Sequence, residues 1–185
     1  MGKINDEQIF EAAQTVLMEK GDAGLRMTAI AKILDVSHAA LYKHFKNREA
    51  LVEALINDWL LKIDQPILDQ AVRMPVEARI DSLHDWLQTL VQQRQAAFRA
   101  DPALTQLYVK KISQQSEIMN DELTAFSNKV EYIMGWDTFR QQRGITIMMA
   151  FTYFYHPYFM NKWDDNLIFP LFESTWLELS PILEL

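Results

Sequence analysis

Few residue patterns in this 185-residue chain could support covalent or metal chemistry. Cysteine is absent, which excludes a thiolate nucleophile, a disulfide and a cysteine-ligated metal site. The five glycines form neither a GxGxxG motif nor a Walker loop, and no two histidines have the i, i+4 spacing of a helical metal site. His84 precedes Asp85, but adjacent helical residues do not share a face, which disfavours a general base. The sequence therefore predicts that the protein is not an enzyme and uses no cofactor or metal.

Positive charge is concentrated in one segment of an otherwise acidic protein. The chain has 18 Lys and Arg against 25 Asp and Glu, a net charge of -7. Residues 20–48 hold six basic side chains against two acidic ones, a net charge of +4, whereas the other 156 residues hold 12 against 23, or -11. Because phosphate neutralisation supplies most of the nonspecific affinity for nucleic acid, this basic segment indicates a DNA-binding surface.

The same segment has the spacing of a helix-turn-helix. Residues 28–45, TAIAKILDVSHAALYKHF, fit a short helix ending near Leu34, an interruption at Asp35-Val36-Ser37 and a second short helix. Ser37 is the predicted N-cap of that second helix, which the motif would insert into a major groove. The apolar side chains expected in a small core are Ile30, Ala31, Leu41 and Phe45.

The order of residues in the motif resembles the TetR family of transcriptional regulators. The matching positions are Thr28, Ile30-Ala31, Val36-Ser37, Leu41-Tyr42, His44-Phe45 and Leu51, within a resemblance over about residues 5–60. The resemblance implies an all-α homodimer with an N-terminal DNA-binding domain and a larger C-terminal domain for an inducer and for dimerisation. C-terminal sequences vary widely in that family, so no inducer residue can be transferred.

The resemblance also implies DNA contacts at individual positions. Thr28 and Ser37 would cap their helices near phosphates, and Tyr42 and His44 match positions that often touch phosphates. Residues 38–40 and Lys43 are placed to meet base edges or the nearby backbone. The predicted DNA-binding set is Arg26, Thr28, Ser37, His38, Ala39, Ala40, Tyr42, Lys43, His44, Lys46 and Arg48.

Three positions depart from the family pattern. Arg48 stands where lysine is usual, which keeps the charge but changes the hydrogen-bond geometry. Asp35 replaces the usual glycine of the turn, and Asp tolerates left-handed backbone. Ala39-Ala40 replaces a common small polar pair and leaves few donors for direct readout. Contact with thymine methyl groups or DNA shape would then carry more of the specificity.

Other roles are open for the tyrosine and the histidines. Tyr42 could roof the small core instead of placing its hydroxyl on a phosphate. His38 and His44 could be solvated surface residues, although their place in the motif favours DNA contact. His84 is interpreted as a surface or core residue, and His156 could line a ligand site or cap a helix end.

Apolar residues recur three and four positions apart, and no long run alternates as a strand would, so we predict an all-α fold. Asn5 should cap the first helix and Gly21 should end it, Thr28 should begin the second, and Asn47 should cap the fourth. The buried stripes expected on the first and fourth helices are Ile9, Ala12, Ala13, Val16 and Leu17, and Leu51, Val52, Leu55, Ile56 and Trp59.

We expect a three-helix DNA-binding domain at 1–63, with a linker helix from about 47, and a larger helical ligand-binding and dimerisation domain at 64–185. Pro66, Pro75 and Pro102 should mark helix boundaries, and Pro157 a kink or an end. The further helices are predicted near 66–73, 76–99, 102–112, 116–134, 137–160 and 166–179.

The longest uncharged stretch is Gly144 to Asn161, 18 residues without Lys, Arg, Asp or Glu. Its length is near that of a membrane span, but its polar residues favour a buried helix in a bundle or a subunit interface. Two subunits could bury it in a four-helix contact of the last two helices. The predicted interface residues are Ile145, Met149, Thr152, Phe169, Phe172 and Trp176.

Aromatic side chains of the C-terminal part have two interpretations. They could line an inducer cavity or fill a helical core, and core is the favoured role for any one of them. The residues predicted for the cavity are Trp59, Trp86, Phe98, Tyr108, Phe126 and Phe151. The charge of -11 outside the basic segment favours a neutral or cationic inducer, although a single buried arginine would reverse that preference.

The sequence thus predicts a cytoplasmic homodimeric repressor that binds a palindromic double-stranded operator and is released by a small hydrophobic inducer. No secretory signal is visible and no membrane partner is expected. One rival is a helical enzyme or small-molecule carrier with purely structural N-terminal helices. The other is a DNA-binding protein that is architectural or controlled by a protein partner.

Overall fold

The computed structural model describes residues 4–70, 75–113, 117–136 and 142–183. Within these ranges the chain is built from helices and turns, which confirms the predicted all-α class. The α-helices are α1 (Asp6–Gly24), α2 (Met27–Leu34), α3 (His38–Tyr42), α4 (Arg48–Leu68), α5 (Arg79–Ala100), α6 (Pro102–Ile112), α7 (Glu117–Met134), α8 (Arg143–Tyr155) and α9 (Ile168–Leu183). Short 3-10 helices cover Val76–Ala78 and Pro157–Lys162.

The helices form two compact units. The first ends at Lys62 and includes Asp101–Tyr108, and the second begins at Ile63 and contains the other described residues. Sequence reasoning placed a boundary at 63/64 and did not foresee Asp101–Tyr108 in the first unit. Because these boundaries fall inside helices, α4 and α6 each contribute residues to both units.

The first unit begins with the predicted cap. Asn5 Oδ1 accepts the Gln8 N–H at 2.9 Å, and Gln8 Oε1 accepts the Asn5 N–H at 3.1 Å, a reciprocal capping box. The whole predicted stripe of α1, from Ile9 to Leu17, is buried. Gly21 breaks the helical backbone with φ of +66°, but the helix resumes and ends at Gly24, three residues later than predicted.

The helix boundary predicted at Pro66 is wrong, because α4 continues through it to Leu68. Proline removes the hydrogen bond to the carbonyl four residues earlier and its ring presses on that carbonyl, but Pro66 lies in the last turn of α4, where the helix is about to end. Ile67 is buried, and its carbonyl accepts the indole N–H of Trp86 at 3.1 Å. These contacts hold the end of α4, and residues 71–73 of the predicted 66–73 helix lie outside the described residues.

The other predicted helices lie close to observed ones. A 3-10 turn after Pro75 leads into α5, and α6 has the predicted bounds, with its Leu104 N–H bonded to Asp101 Oδ1 at 3.0 Å. The predictions at 116–134 and 166–179 correspond to α7 and α9. The helix predicted at 137–160 is shorter: α8 ends at Tyr155, before Pro157, and residues 137–141 lie outside the described residues.

The core of the second unit is formed by α5, α7, α8 and α9, with buried leucines and aromatic rings between them. Gly144 marks a close crossing of α7 and α8. Its N–H donates to Glu131 Oε1 at 3.2 Å, and a Cβ there would collide with the carbonyl oxygen of Ser127. In the described ranges, no helix is both long and apolar enough to cross a membrane.

We expect Gly144→Ala to destabilise the second unit by about 1–3 kcal/mol, because the added methyl group must push α8 away from the α7 backbone. Thermal unfolding measures the change. Ala150→Ser, at an exposed position of the same helix, is the control and should leave Tm nearly unchanged. Equal Tm values for wild type and Gly144→Ala would show that the helices do not need this close approach.

Candidate functional site

The motif at 28–45 folds as two short helices around a left-handed turn. Asp35 has φ of +51° and ψ of +47°, and its N–H and that of Val36 both bond to the Ala31 carbonyl. Asp in place of glycine therefore keeps the turn, as predicted. Ser37 caps α3 as predicted, since its Oγ accepts the Ala40 N–H at 3.3 Å.

The N-cap prediction for α2 is wrong. The helix begins at Met27, with Arg26 in the cap position and no side-chain hydrogen bond there. Met27 is buried with Ile30 and Ala31, so the apolar stripe starts one residue before Thr28. Thr28 is instead an exposed residue of the first turn, where its hydroxyl faces solvent beside the unsatisfied N–H groups of the helix start.

Most of the predicted DNA-binding set is exposed on the first unit. Tyr42 is 52% exposed, so its ring does not roof the core, whereas Leu41 and Phe45 lie inside it. The half-buried members are Ala40, His44 and Arg48. The exposed members are Arg26, Thr28, Ser37, His38, Ala39, Tyr42, Lys43 and Lys46. The motif therefore presents a continuous run of accessible polar and basic side chains around α3.

Besides the Ser37 cap, His44 and Arg48 also bond within the protein. His44 Nδ1 lies 2.6 Å from Asp6 Oδ1, which ties the end of the motif to the first turn of α1. Arg48 donates from Nε to the Leu25 carbonyl at 2.7 Å and from Nη2 to the Asp22 carbonyl at 3.0 Å, and it also pairs with the Asp22 carboxylate. Arg48 thus clamps the start of α4 to the α1–α2 turn. Asn47 caps α4 as predicted, with its Oδ1 accepting the Ala50 N–H at 2.8 Å.

The six aromatic residues predicted for an inducer cavity are all buried and do not form one lining. Trp59 and Tyr108 meet edge to face in the first unit, with ring centroids 6.4 Å apart. In the second unit Trp86 meets Phe126 at 6.4 Å. Phe98 and Phe126 pack on an arginine, whereas Phe151 packs on Phe154 and Phe172. These rings fill the cores of the two units, and Phe98 and Phe126 also border a polar cluster around an arginine.

That polar cluster was missed by sequence reasoning. Arg94 is fully buried, with its Nη2 donating to Glu122 Oε2 at 2.9 Å and its Nε 3.3 Å from Asp64 Oδ1. The sequence does contain an indication of it. Arg94 has the spacing of the apolar residues that form the buried face of α5, from Leu83 to Phe98. A charge at a core position of an amphipathic helix indicates buried partners.

Aromatic rings enclose the Arg94 guanidinium. Its carbon lies 5.0 Å from the ring centroid of Phe98, 5.1 Å from that of Phe126 and 5.6 Å from that of Tyr155. We call Arg94, Asp64, Glu122 and these three rings the Arg94 cluster. All of its members belong to the second unit.

Burial controls the protonation of this region. Desolvation raises the pKa of Asp64 to about 6, although the adjacent Arg94 opposes the rise. Desolvation, and then the positive charge of Arg94, lower the pKa of His156 to about 4, so that this imidazole is neutral at pH 7. Burial also raises the pKa of Tyr155. His156 additionally caps the following 3-10 helix, with its Nδ1 accepting the Tyr158 N–H at 3.3 Å.

A cleft of about 40 Å³ adjoins the cluster. Its lining residues are Glu122, Leu123, Met149, Thr152, Tyr155 and His156. Glu122 and Tyr155 belong both to the cleft wall and to the surroundings of Arg94, and Met149 is 53% exposed. In the described ranges, no three histidine or carboxylate side chains converge as metal ligands.

The predicted interface residues differ in exposure. Phe172 and Trp176 are buried in the core of their own subunit, so we remove them from the expected interface. Met149 and Phe169 are exposed, and Ile145 and Thr152 are partly buried. Other large apolar side chains are exposed on or beside α9: Leu167, Leu171, Leu177 and Ile182.

Comparison with known proteins finds similarity in the N-terminal segment. Residues 9–55 match the family model described as bacterial regulatory proteins, tetR family. Over 55 residues the chain is 38% identical to the tetracycline repressor protein class D of Escherichia coli, which is 30% of this chain and 25% of that protein. Over 52 residues it is 36% identical to the uncharacterized HTH-type transcriptional regulator YvkB of Bacillus subtilis, 28% of each chain. The similarity thus spans about a quarter of the length of these curated relatives.

Solved structures share the fold over almost the whole chain. BioQ of Mycobacterium smegmatis superposes with a TM-score of 0.56 at 18% identity, covering 97% of this chain and 98% of that one. A transcriptional regulator (TerR/AcrR family) from Aquifex aeolicus VF5 superposes with a TM-score of 0.53 at 17% identity, covering 96% and 98%. The similarity to the tetR family of bacterial regulatory proteins thus covers residues 9–55, and the solved structures share the helical fold of the rest of the chain.

Proposed function

We propose that this protein is a homodimeric transcriptional repressor that binds operator DNA through α3 and releases it when a small ligand binds the second unit. The exposed, Ser37-capped α3 beside basic side chains is the observation that carries the proposal. Such a helix fits a major groove of DNA, with its first residues at the base edges and the preceding helix near the DNA backbone. A repressor of this kind acts in the cytoplasm, where the DNA is.

The exposed basic residues supply the phosphate contacts of the proposal. Arg26 lies at the start of α2, and Lys43 and Lys46 follow α3. All three side chains are exposed, whereas Arg48 already bonds to the α1–α2 turn. We therefore assign phosphate binding to these three cations. Arg48 has a structural role instead, because it joins the start of α4 to the residues between α1 and α2.

In this proposal α3 recognises the bases, and its side chains offer few hydrogen-bond donors. His38 and Ala39 are exposed on the first turn of α3, and Ala40 is partly exposed beside them. An alanine methyl group can pack on a thymine methyl group but cannot read a guanine. We infer that His38, thymine contacts and DNA deformability together set the operator sequence.

Dimerisation is assigned to the outward apolar face of α8 and α9. Met149 on α8 and Phe169 and Leu177 on α9 are each more than half exposed, and exposed apolar side chains of this size favour an interface. A two-fold contact of two helices from each subunit would bury this face.

The regulatory mechanism is a population shift between dimer conformations. One conformation spaces the two α3 helices for successive major grooves, and a ligand that binds another conformation better reduces operator affinity. A helical carrier or enzyme would show no sequence-specific DNA retention. A partner-controlled or architectural protein would bind DNA but would not be stabilised by any small molecule.

Selection of bound fragments from random DNA should yield a palindromic or nearly palindromic operator. A two-fold dimer presents two copies of α3, so its half-sites should lie about one helical turn apart, or a multiple of that distance. Sequencing of the enriched fragments provides the measurement. Enrichment of one asymmetric site by a proven dimer would contradict the geometry, and no enrichment at all would contradict the function.

The salt dependence of operator binding should report the phosphate contacts. With these three cationic contacts in each subunit, the slope of log K against log salt should be about -5. Lys43→Ala should flatten this slope by about 2, since it removes one contact from each subunit. Arg48→Ala, a change of the same charge, should instead lower Tm because it breaks the clamp to Leu25 and Asp22. An unchanged slope in Lys43→Ala would remove this surface from the proposal.

Leu177→Glu should produce folded monomers with weak operator binding, because Leu177 is 67% exposed on α9 and the charge would be buried between subunits. Met149→Glu tests α8 in the same way. Light scattering measures the mass, and circular dichroism checks the helical content. Exposed Glu178→Gln on α9 is the control and should stay dimeric. Intact dimers of both Glu variants would place the interface elsewhere.

A further inference from the structure

The end of the helix-turn-helix motif is held against α1 at two points. His44 Nδ1 lies 2.6 Å from Asp6 Oδ1, and the ring centroids of Phe45 and Phe10 are 5.7 Å apart. Asp6 and Phe10 are four residues apart in α1, so they share one face of that helix. The two contacts together fix the place and the orientation of the His44 ring.

The bond to Asp6 determines which nitrogen of a neutral His44 ring carries the proton. A carboxylate oxygen accepts hydrogen bonds and has no proton to donate, so Nδ1 must be the donor. A neutral imidazole has only one N–H group, which leaves Nε2 without a proton and able only to accept. In the imidazolium form both nitrogens donate. While Asp6 holds Nδ1, His44 can therefore donate from Nε2 only as a positively charged ring.

The other ring nitrogen of His44 is accessible from outside the protein. The side chain is 23% exposed, and among the described residues Nε2 is neither hydrogen-bonded nor buried. Lys43 and Lys46 stand on either side of His44 in the sequence, and both are exposed. The proposed function assigns phosphate contacts to these two lysines. A DNA backbone bound by them would pass close to the His44 ring.

We propose that Asp6 positions His44 so that the ring binds a DNA phosphate only as an imidazolium, and that operator binding therefore takes up a proton in each subunit. The proposal rests on the proposed function, because it assigns a positioning residue to the DNA contact of that function. A phosphate oxygen only accepts hydrogen bonds, so it cannot bond to an unprotonated Nε2. It does bond to the Nε2–H of an imidazolium, and the positive charge strengthens that bond.

The charges near His44 oppose one another until DNA is bound. Among the described residues, the charged groups on the elements that meet at this ring are Asp6 and Glu7 of α1, Lys43 and Lys46 beside it, and Arg48 of α4. Asp6 bonds directly to the ring and favours its charged form, whereas the cations disfavour it. A bound phosphate adds a second negative partner, which shifts the balance toward the imidazolium.

Operator binding should therefore become stronger as the pH falls. Histidine is the side chain whose charge ordinarily changes between pH 5 and 8. By linkage, each proton taken up on binding changes the association constant by up to about tenfold for each pH unit. With one His44 in each subunit, log K of the wild type should fall by about 1 to 2 between pH 7 and 8 at constant salt.

Asp6→Asn tests the positioning role in the full-length protein with its selected operator. The asparagine amide can donate to Nδ1, which lets a neutral ring carry its proton on Nε2 and donate it to a phosphate. The slope of log K against pH should fall to less than about half of the wild-type value, with operator binding at least about threefold tighter than wild type at pH 8. Fluorescence anisotropy of labelled operator measures both. His38 is present in both proteins, so its own titration cancels in the comparison.

Glu7→Gln is the matched control, because it removes the same charge from the same exposed turn of α1, and it should keep the wild-type slope. His44→Gln should lose the slope as Asp6→Asn does, since a glutamine amide donates at every pH. Equal slopes in wild type and Asp6→Asn would overturn the proposal, and so would a wild type without pH dependence. A loss of affinity by the same factor at every pH in Asp6→Asn would show a merely structural contact and overturn it as well. Failure of the wild type to select any DNA would instead contradict the proposed function.

Discussion

The positions of the functional residues depend on α4 staying helical from Arg48 to Leu68. Its first residue bonds to the carbonyls of Leu25 and Asp22, and near its other end Asp64 contacts Arg94. Proline in a helix interior costs about 3 kcal/mol, but Pro66 lies where the helix is about to end. One unbroken helix therefore carries both a residue that supports the DNA-binding motif and a residue of the buried polar cluster.

The polar cluster of the second unit is only weak evidence for stability, because replacing a buried ion cluster by apolar residues of equal volume is often neutral or stabilising. Taking three ionisable side chains out of water costs several kcal/mol for each ion, and their mutual attraction offsets that cost only in part. Desolvation accordingly raises the pKa of Asp64, even with Arg94 beside it.

Local sequence determined what could be predicted. The caps at Asn5, Ser37 and Asn47 depend on a side chain and a backbone group three residues away, so they could be inferred directly. The continuation through Pro66 could not, because it depends on the burial of Ile67 and a bond from Trp86, 19 residues further along. The Arg94 cluster joins residues 64, 94 and 122, and no local pattern reveals which carboxylates a buried arginine will meet.

The chemistry of α3 suits a regulator whose DNA binding must be easily reversed. Ala39 and Ala40 offer methyl groups where a polar pair would offer hydrogen bonds, so little of the affinity can come from base edges. In the proposed dimer the remaining affinity would come from phosphate contacts, which are effective only when both subunits are in register with the DNA backbone. A dimer that depends on such contacts loses affinity when the spacing of its two α3 helices changes, even if each helix keeps its own structure.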